Sequence, residues 1–162
     1  MWFPSITLWQ PWASLIFVPN PDWRKDHETR GFPIPESKVG EWVAIHSAAR
    51  SVRPAELGPG LRKVLERQWG TSYEVGLTHR RVLGLVKFGP SRLTQHSTPK
   101  SYADEVAGNW TPNRWAWPIL ERVPLDEPVP AQGRQGWWRV ELEPPPEIGE
   151  AKAPTRELTD GR

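Results

Sequence analysis

Cysteine is absent from the chain, so neither a structural disulfide nor thiolate chemistry is open to it. Long apolar runs are missing too: nothing in the sequence is uninterrupted enough to span a bilayer. Apolar residues cluster near the start, but Pro4, Gln10 and Pro11 break them and no basic run precedes them, which is not the pattern of a signal peptide. The expectation is a cytoplasmic protein without membrane contact. The four histidines, His27, His46, His79 and His96, show no paired ligand spacing, and there is no His-Glu-x-x-His motif. No glycine loop of the Walker or dinucleotide type is present either. Neither a metal nor a cofactor is expected. Tyrosine and phenylalanine are scarce, at two and four residues, whereas tryptophan reaches 11 of 162. Two readings of that excess stand: indoles filling a core, or indoles lining a site that stacks planar ligands. Composition does not separate them.

A chain of 162 residues suits one domain, which at this size buries roughly 68–70% of the surface its unfolded chain exposes. The formal charge is only +2, but it is unevenly spread. Residues 44–102 hold ten Lys/Arg and three Glu, a net +7 against −5 for the remainder. A basic middle fits a protein that meets phosphates and equally fits a solvated helix face.

Residues 1–8 read as a short strand and 10–16 as a helix, with Pro11 tolerated in its first turn. Pro19-Asn20-Pro21-Asp22 ends that helix. Residues 41–46 have the apolar density of a strand buried on both faces. Pro54 opens a second helix in which Leu57, Leu61, Val64, Leu65 and Trp69 keep helical spacing, or Gly58-Pro59-Gly60 confines it to residues 61–69. Residues 81–88 form another strand, and 91–113 read as a polar surface loop over the site. Strands at 115–123 and 137–143 close the domain, with Pro118 restricting its strand to an edge or a bulge. The domain is expected to span residues 1–143. Residues 144–162, opened by Pro144-Pro145-Pro146, read as a charged tail without structure.

Three ordered segments carry a resemblance. Ile6-Thr7-Leu8-Trp9-Gln10-Pro11-Trp12-Ala13-Ser14-Leu15-Ile16 is the first. Lys25-Asp26-His27-Glu28-Thr29-Arg30, followed by the strand at 40–48, is the second. Gly108 to Trp117, continuing to Gly133-Arg134-Gln135-Gly136-Trp137-Trp138, is the third. Together, over roughly residues 5–140, they resemble the ASCH domain of the PUA-like superfamily, in its opening strand and Gln-Pro-Trp-Ala helix, its Lys-x-x-Glu-x-Arg stretch and its Gly-Arg-Gln-Gly turn. The link from Phe17 to Arg24 departs from the family's shorter Gly-containing turn. The resemblance implies an α+β fold, a small β-barrel with flanking helices and a central cleft that the polar signature faces. It also implies a partner: RNA, single-stranded nucleic acid or a modified nucleoside. Some ASCH proteins are hydrolases, on acetylcytidine or as ribonucleases, so the family supports a binding module and an enzyme alike.

From the residues themselves, Lys25, Glu28 and Arg30 are the central candidates. In an extended segment Glu28 and Arg30 share a side and Lys25 lies opposite, so convergence needs a turn or bulge near His27. Arg30 presents a planar fork, and Glu28 is the nearest carboxylate to receive it. Glu28 suits an exocyclic amine of cytosine, Lys25 a carbonyl or phosphate, and Trp9 or Trp12 a stacked base. The competing reading is a Glu28–Arg30 pair holding the cleft mouth, with Lys25 solvated and Trp12 in a helix core. As an enzyme, Lys25 and Glu28 would be the catalytic pair. The acetylcytidine hydrolase has a threonine where Glu28 stands, which argues against that reaction. Gln10, His46, Arg114 and Trp117 complete the candidate cleft, with Arg80 and Arg81 on the nucleic-acid backbone. His46 is alternatively a satisfied core histidine, and Gln135 either offers an amide to a base edge or belongs to a plain turn. An interaction domain with a Trp-rich face for a protein partner is the third reading.

Overall fold

A computed structural model describes residues 1–149. The described residues form an α+β fold, one seven-stranded mixed sheet with four short helices. The strands are β1 (Trp2–Gln10), β2 (His27–Arg30), β3 (Trp42–Ser51), β4 (Arg81–Phe88), β5 (Arg92–Leu93), β6 (Trp115–Pro130) and β7 (Trp138–Glu141). The helices are α1 (Trp12–Leu15), α2 (Pro59–Trp69), α3 (Tyr102–Ala107) and α4 (Pro146–Gly149). The sheet runs β2-β6-β4-β3-β1-β7, with β5 also on β6. Only β1 and β3 pair in parallel; every other ladder is antiparallel.

Period-two alternation explains the centre of the sheet. In β3, Val43 and Ile45 face a cluster with Ile6, Leu8, Phe88 and Trp117, while Ala44 faces a second with Phe3, Leu85 and Val140. Both faces are thus covered, as the unbroken apolar run predicts. The helices add a third cluster, in which Leu61, Val64 and Leu65 of α2 keep the i, i+3, i+4 spacing and meet Leu15, Tyr73 and Ala103.

Strand β6 is far longer than expected because it serves two sets of partners in turn. Residues 115–118 pair with β2, residues 119–130 with β4, and the register shifts at the change. Pro118 sits at that change, where its missing N–H disturbs the ladder least, and its carbonyl accepts from Gly89 N at 2.9 Å.

Several expectations are corrected. Pro54 opens only a three-residue 3-10 turn; α2 begins at Pro59, where a second proline fits the first helical position. Residues 91–113 are not one loop: they contain β5 and α3, the latter capped by Ser101 Oγ on Asp104 N at 3.0 Å. Structure also continues past Glu143. Pro145 O accepts from Ile148 N and Gly149 N, and Ile148 is buried among Phe3, Val140 and Leu142. The remainder of the expected tail, residues 150–162, lies outside the described residues.

Candidate functional site

The chain enters β2 through a clamp built from backbone polar groups. Lys25 N donates to Leu15 O at 3.0 Å, and Lys25 O accepts from Arg122 Nη1 at 3.1 Å. Asp104, wholly buried in α3, takes the next two amides on one oxygen: Asp26 N at 2.8 Å and His27 N at 2.9 Å. Its other oxygen takes His27 Nδ1 at 2.7 Å and Lys100 N at 2.9 Å. Burial pushes the Asp104 carboxyl up, but the bonds from His27, Lys100 and Asp26 outweigh it and hold the group below its ordinary value. Gripping successive amides bends the chain just before the strand, which brings Lys25 to the side occupied by Glu28 and Arg30.

Lys25 Nζ and Glu28 Oε2 form a buried ion pair, and Arg30 Nε donates to Glu28 Oε1 at 2.9 Å. Lys25 is 3% exposed and Glu28 6%, so the reading with a solvated Lys25 fails. Burial again pushes Glu28 up, and the Lys25 and Arg30 charges with their hydrogen bonds win, leaving it below its usual range. The carboxylate stays ionised, each oxygen matched to a cation.

Two cavities open beside this triad. The larger, of about 1250 Å³, is walled by Trp9, Phe32, Trp117 and Trp137 and carries Arg30, Arg80 and Arg134 with no acidic residue on its lining. The smaller, of about 480 Å³, is reached by Lys25, Glu28, Arg114 and Trp12 and floored by the start of α2 at Gly58 and Leu61. Thr7, Trp9 and Arg30 line both. The single cleft expected from the sequence is therefore two chambers meeting at Arg30.

In the larger chamber Trp117 is buried and lies almost parallel to Trp137, with ring centres 6.1 Å apart and planes 7° from parallel. The Arg30 guanidinium sits 5.8 Å from the centre of the Trp117 ring. Trp117 Nε1 donates to Phe32 O at 3.1 Å, so the indole has no free polar edge. Trp9 is half exposed with Arg50 over its ring, a surface platform already neighbouring a cation.

His46 satisfies both of its readings at once. Its Nε2 donates to Ala131 O at 2.7 Å, which leaves Nδ1 to accept from Thr7 Oγ1 at 3.2 Å. Thr7 Oγ1 in turn accepts from Trp138 Nε1 at 3.1 Å. Neutral imidazole satisfies this chain of bonds, and burial lowers the His46 pKa against the opposing pull of Ala131 O. The ring borders the large chamber as a fixed wall. The loop after β6 closes over it at Gly133, where a Cβ would stand 2.5 Å from His46 Cε1 and 2.8 Å from Thr7 Oγ1.

Other candidates are redistributed. Gln10 lines neither chamber: it is fully buried, donating to Ser14 Oγ and Thr78 O at 2.7 Å each and accepting from Ser14 N at 3.0 Å. Its amide fastens α1 to the turn before β4. Trp12 is packed on the helical cluster and also touches the small chamber, so it serves core and site together. Arg114 donates from Nη2 to Thr29 O at 3.4 Å, and its buried Nε has no partner among the described residues. Arg80 lines the large chamber, whereas Arg81 begins β4 beneath it and is on neither lining. Much of the basic middle is a solvated face: Arg67 covers Trp23, and Lys87 pairs with Glu121 over Trp42. Among the described residues no cluster of His, Asp and Glu has the geometry of a metal site.

Sequence reasoning missed Phe32, Arg134 and Trp137 as chamber residues. Phe32 continues the alternation Glu28, Arg30, Phe32, a legible signal. Arg134 and Trp137 lie on a loop whose path depends on where β6 ends. No protein-family model matches the chain, and no curated protein matches it either.

Proposed function

We propose that this chain is an ASCH domain of the PUA-like superfamily, a small barrel-like fold whose large chamber binds RNA or a modified nucleobase. The observation that carries the reading is the lining of that chamber: three arginines, no carboxylate and four aromatic side chains around about 1250 Å³. Arginines attract a phosphate-bearing ligand and fork onto its oxygens. Indole and phenyl faces take a base at about 1–3 kcal/mol per stack. Two of the segments on which the resemblance rests border the chambers. The Lys-x-x-Glu-x-Arg stretch stands at the junction of the chambers, and the Gly-Arg-Gln-Gly turn closes the larger one.

Binding is favoured over hydrolysis by the state of Lys25 and Glu28. Lys25 Nζ is engaged by Glu28 Oε2 in a buried contact, and Arg30 takes the other Glu28 oxygen, an arrangement that positions Arg30 and occupies the carboxylate that would have to activate water. The test is a titration of intrinsic tryptophan fluorescence with short single-stranded RNAs and a panel of modified nucleosides, with the same mixtures assayed for product. We expect saturable quenching without product. Arg134→Ala should weaken affinity by about ten- to a hundredfold, one lost charge-assisted contact being worth about 1.5–3 kcal/mol. RNA and nucleosides that leave the fluorescence unchanged would refute the reading; cleavage or deacylation would convert it to the hydrolase.

A further inference from the structure

The two chambers share one wall, and that wall is cationic. Arg30 reaches Glu28 through Nε alone, and no described residue engages either of its terminal nitrogens. Its side chain is 30% exposed and, with Thr7 and Trp9, lines both chambers. On one side lie the aromatic faces of Trp117 and Trp137; on the other, Trp12 and the buried carboxylate of Glu28. The larger chamber alone exceeds the 300–1,000 Å³ common for a small-molecule site, and the smaller falls within that range.

Resting on the nucleic-acid reading above, we infer that the site takes a phosphodiester-linked strand of at least two nucleotides, one base in each chamber, with the linking phosphate on Arg30. The geometry matches such a ligand in three respects. A phosphodiester carries one negative charge between two planar groups, and Arg30 places one free fork between two aromatic-walled spaces. The arginines of the large chamber, Arg80 and Arg134, stand on its outer rim as exposed residues, where the strand's next phosphate leaves the protein. The small chamber sets the carboxylates of Glu28 and Glu56 beside Lys25, Arg30 and Arg114, a mixed polar lining that can accept from a base amine and donate to a base carbonyl. The shared wall makes the second base's binding intramolecular once the first is seated, which raises affinity without any new type of contact.

The test compares a nucleoside, its 5′-mononucleotide, the dinucleoside monophosphate and an octanucleotide RNA by tryptophan fluorescence, using the full chain. The dinucleoside monophosphate should bind about tenfold or more tightly than the mononucleotide, and the octanucleotide should add little to that. Asn109→Trp, which fills the mouth of the small chamber, should bring the ratio of dinucleotide to mononucleotide affinity close to one. Arg30→Lys keeps the charge and loses the fork, and should reduce the same ratio. Equal binding of nucleoside, mononucleotide and dinucleotide overturns the two-chamber inference while leaving a single-base site standing. A dinucleotide advantage that survives Asn109→Trp overturns the placement of the second base. Binding of a short acidic peptide more tightly than the dinucleotide overturns it in favour of a protein partner. Failure of every nucleic-acid ligand, the octanucleotide included, refutes the underlying reading as well.

Discussion

Glu28 is the residue on which both stability and site geometry turn. Its carboxylate neutralises Lys25, which is almost completely buried, and orients Arg30 at the chamber junction. Glu28→Gln keeps the shape and removes the charge, stranding a buried ammonium. Breaking one side of such a pair costs about 3–5 kcal/mol, so thermal or urea unfolding at neutral pH should show a loss of that order. The pH dependence has a definite sign. The folded pKa of Glu28 lies below its unfolded value, so its contribution is complete above the ordinary carboxylate range and disappears as pH falls through the lower folded value. The stability difference between wild type and Glu28→Gln should therefore narrow steadily on acidification. A gap that stays constant from neutral pH down to the acid transition would show that the charge on Glu28 is not what the fold uses. Wild type and variant should both remain acid-sensitive, because the Asp104 carboxyl is also held below its ordinary value.

Elements are held together here by a few polar residues whose importance the sequence hardly advertises. Asp104 lies 77 residues from His27 and fastens α3 to the entry of β2. In the sequence it falls inside the stretch 91–113 that reads as a polar loop, and nothing singles it out. The strands at 41–46 and 81–88 were legible because an unbroken apolar run has one solution, a strand covered on both faces. The polar stretch of 91–113 was not, because α3 takes its stability from Ala103 and Ala107 packing under α2, a contact between segments distant in sequence. The same applies to α4. Its proline-rich, charged surroundings suggest a chain without structure, yet the single residue Ile148 docks between Phe3 and Leu142. Ile148→Ala should destabilise the protein by about 2–5 kcal/mol, and truncation after Glu143 should do at least as much. Unfolding midpoints that match wild type in both would show that α4 is not part of the core. At the loop that closes the large chamber, Gly133→Ala forces a methyl against His46 and Thr7, which are fixed by Ala131 and Trp138. Overpacking of this kind costs about 1–3 kcal/mol. Because the loop carries Arg134, RNA affinity should fall by more than the melting temperature suggests. Normal affinity and normal stability together would mean that the loop yields freely.

Under the proposed function, the arginines of the large chamber would attract an anionic strand and the aromatic walls would seat its bases. Affinity for a short RNA should fall linearly on a log–log plot against salt, by a slope set by the number of phosphates neutralised. Arg80→Ala should flatten that slope by about one phosphate's share, since Arg80 stands on the chamber rim. Arg81→Ala should not, since Arg81 is on neither chamber's lining. A slope of zero in wild type would remove the electrostatic part of the argument. Of the arginines that line the large chamber, only Arg80 belongs to the basic middle of the sequence; Arg30 and Arg134 lie outside it, whereas Arg67 and Lys87, inside it, cover tryptophans. Charge counted along a chain says nothing of which strand ends meet.

The sheet order has a consequence for how the chain is made. Among the described strands β1 comes first in chain order but lies between β3 and β7, and β7 comes last. Its pairs from Trp2↔Glu141 to Ser5↔Trp138 join residues at opposite ends of the fold. Until β7 has been made and docked, therefore, β1 carries an unpaired edge of the kind that templates association with other chains. Covering that edge is a long-range step of folding, and any species that has not yet taken it is the aggregation-prone one.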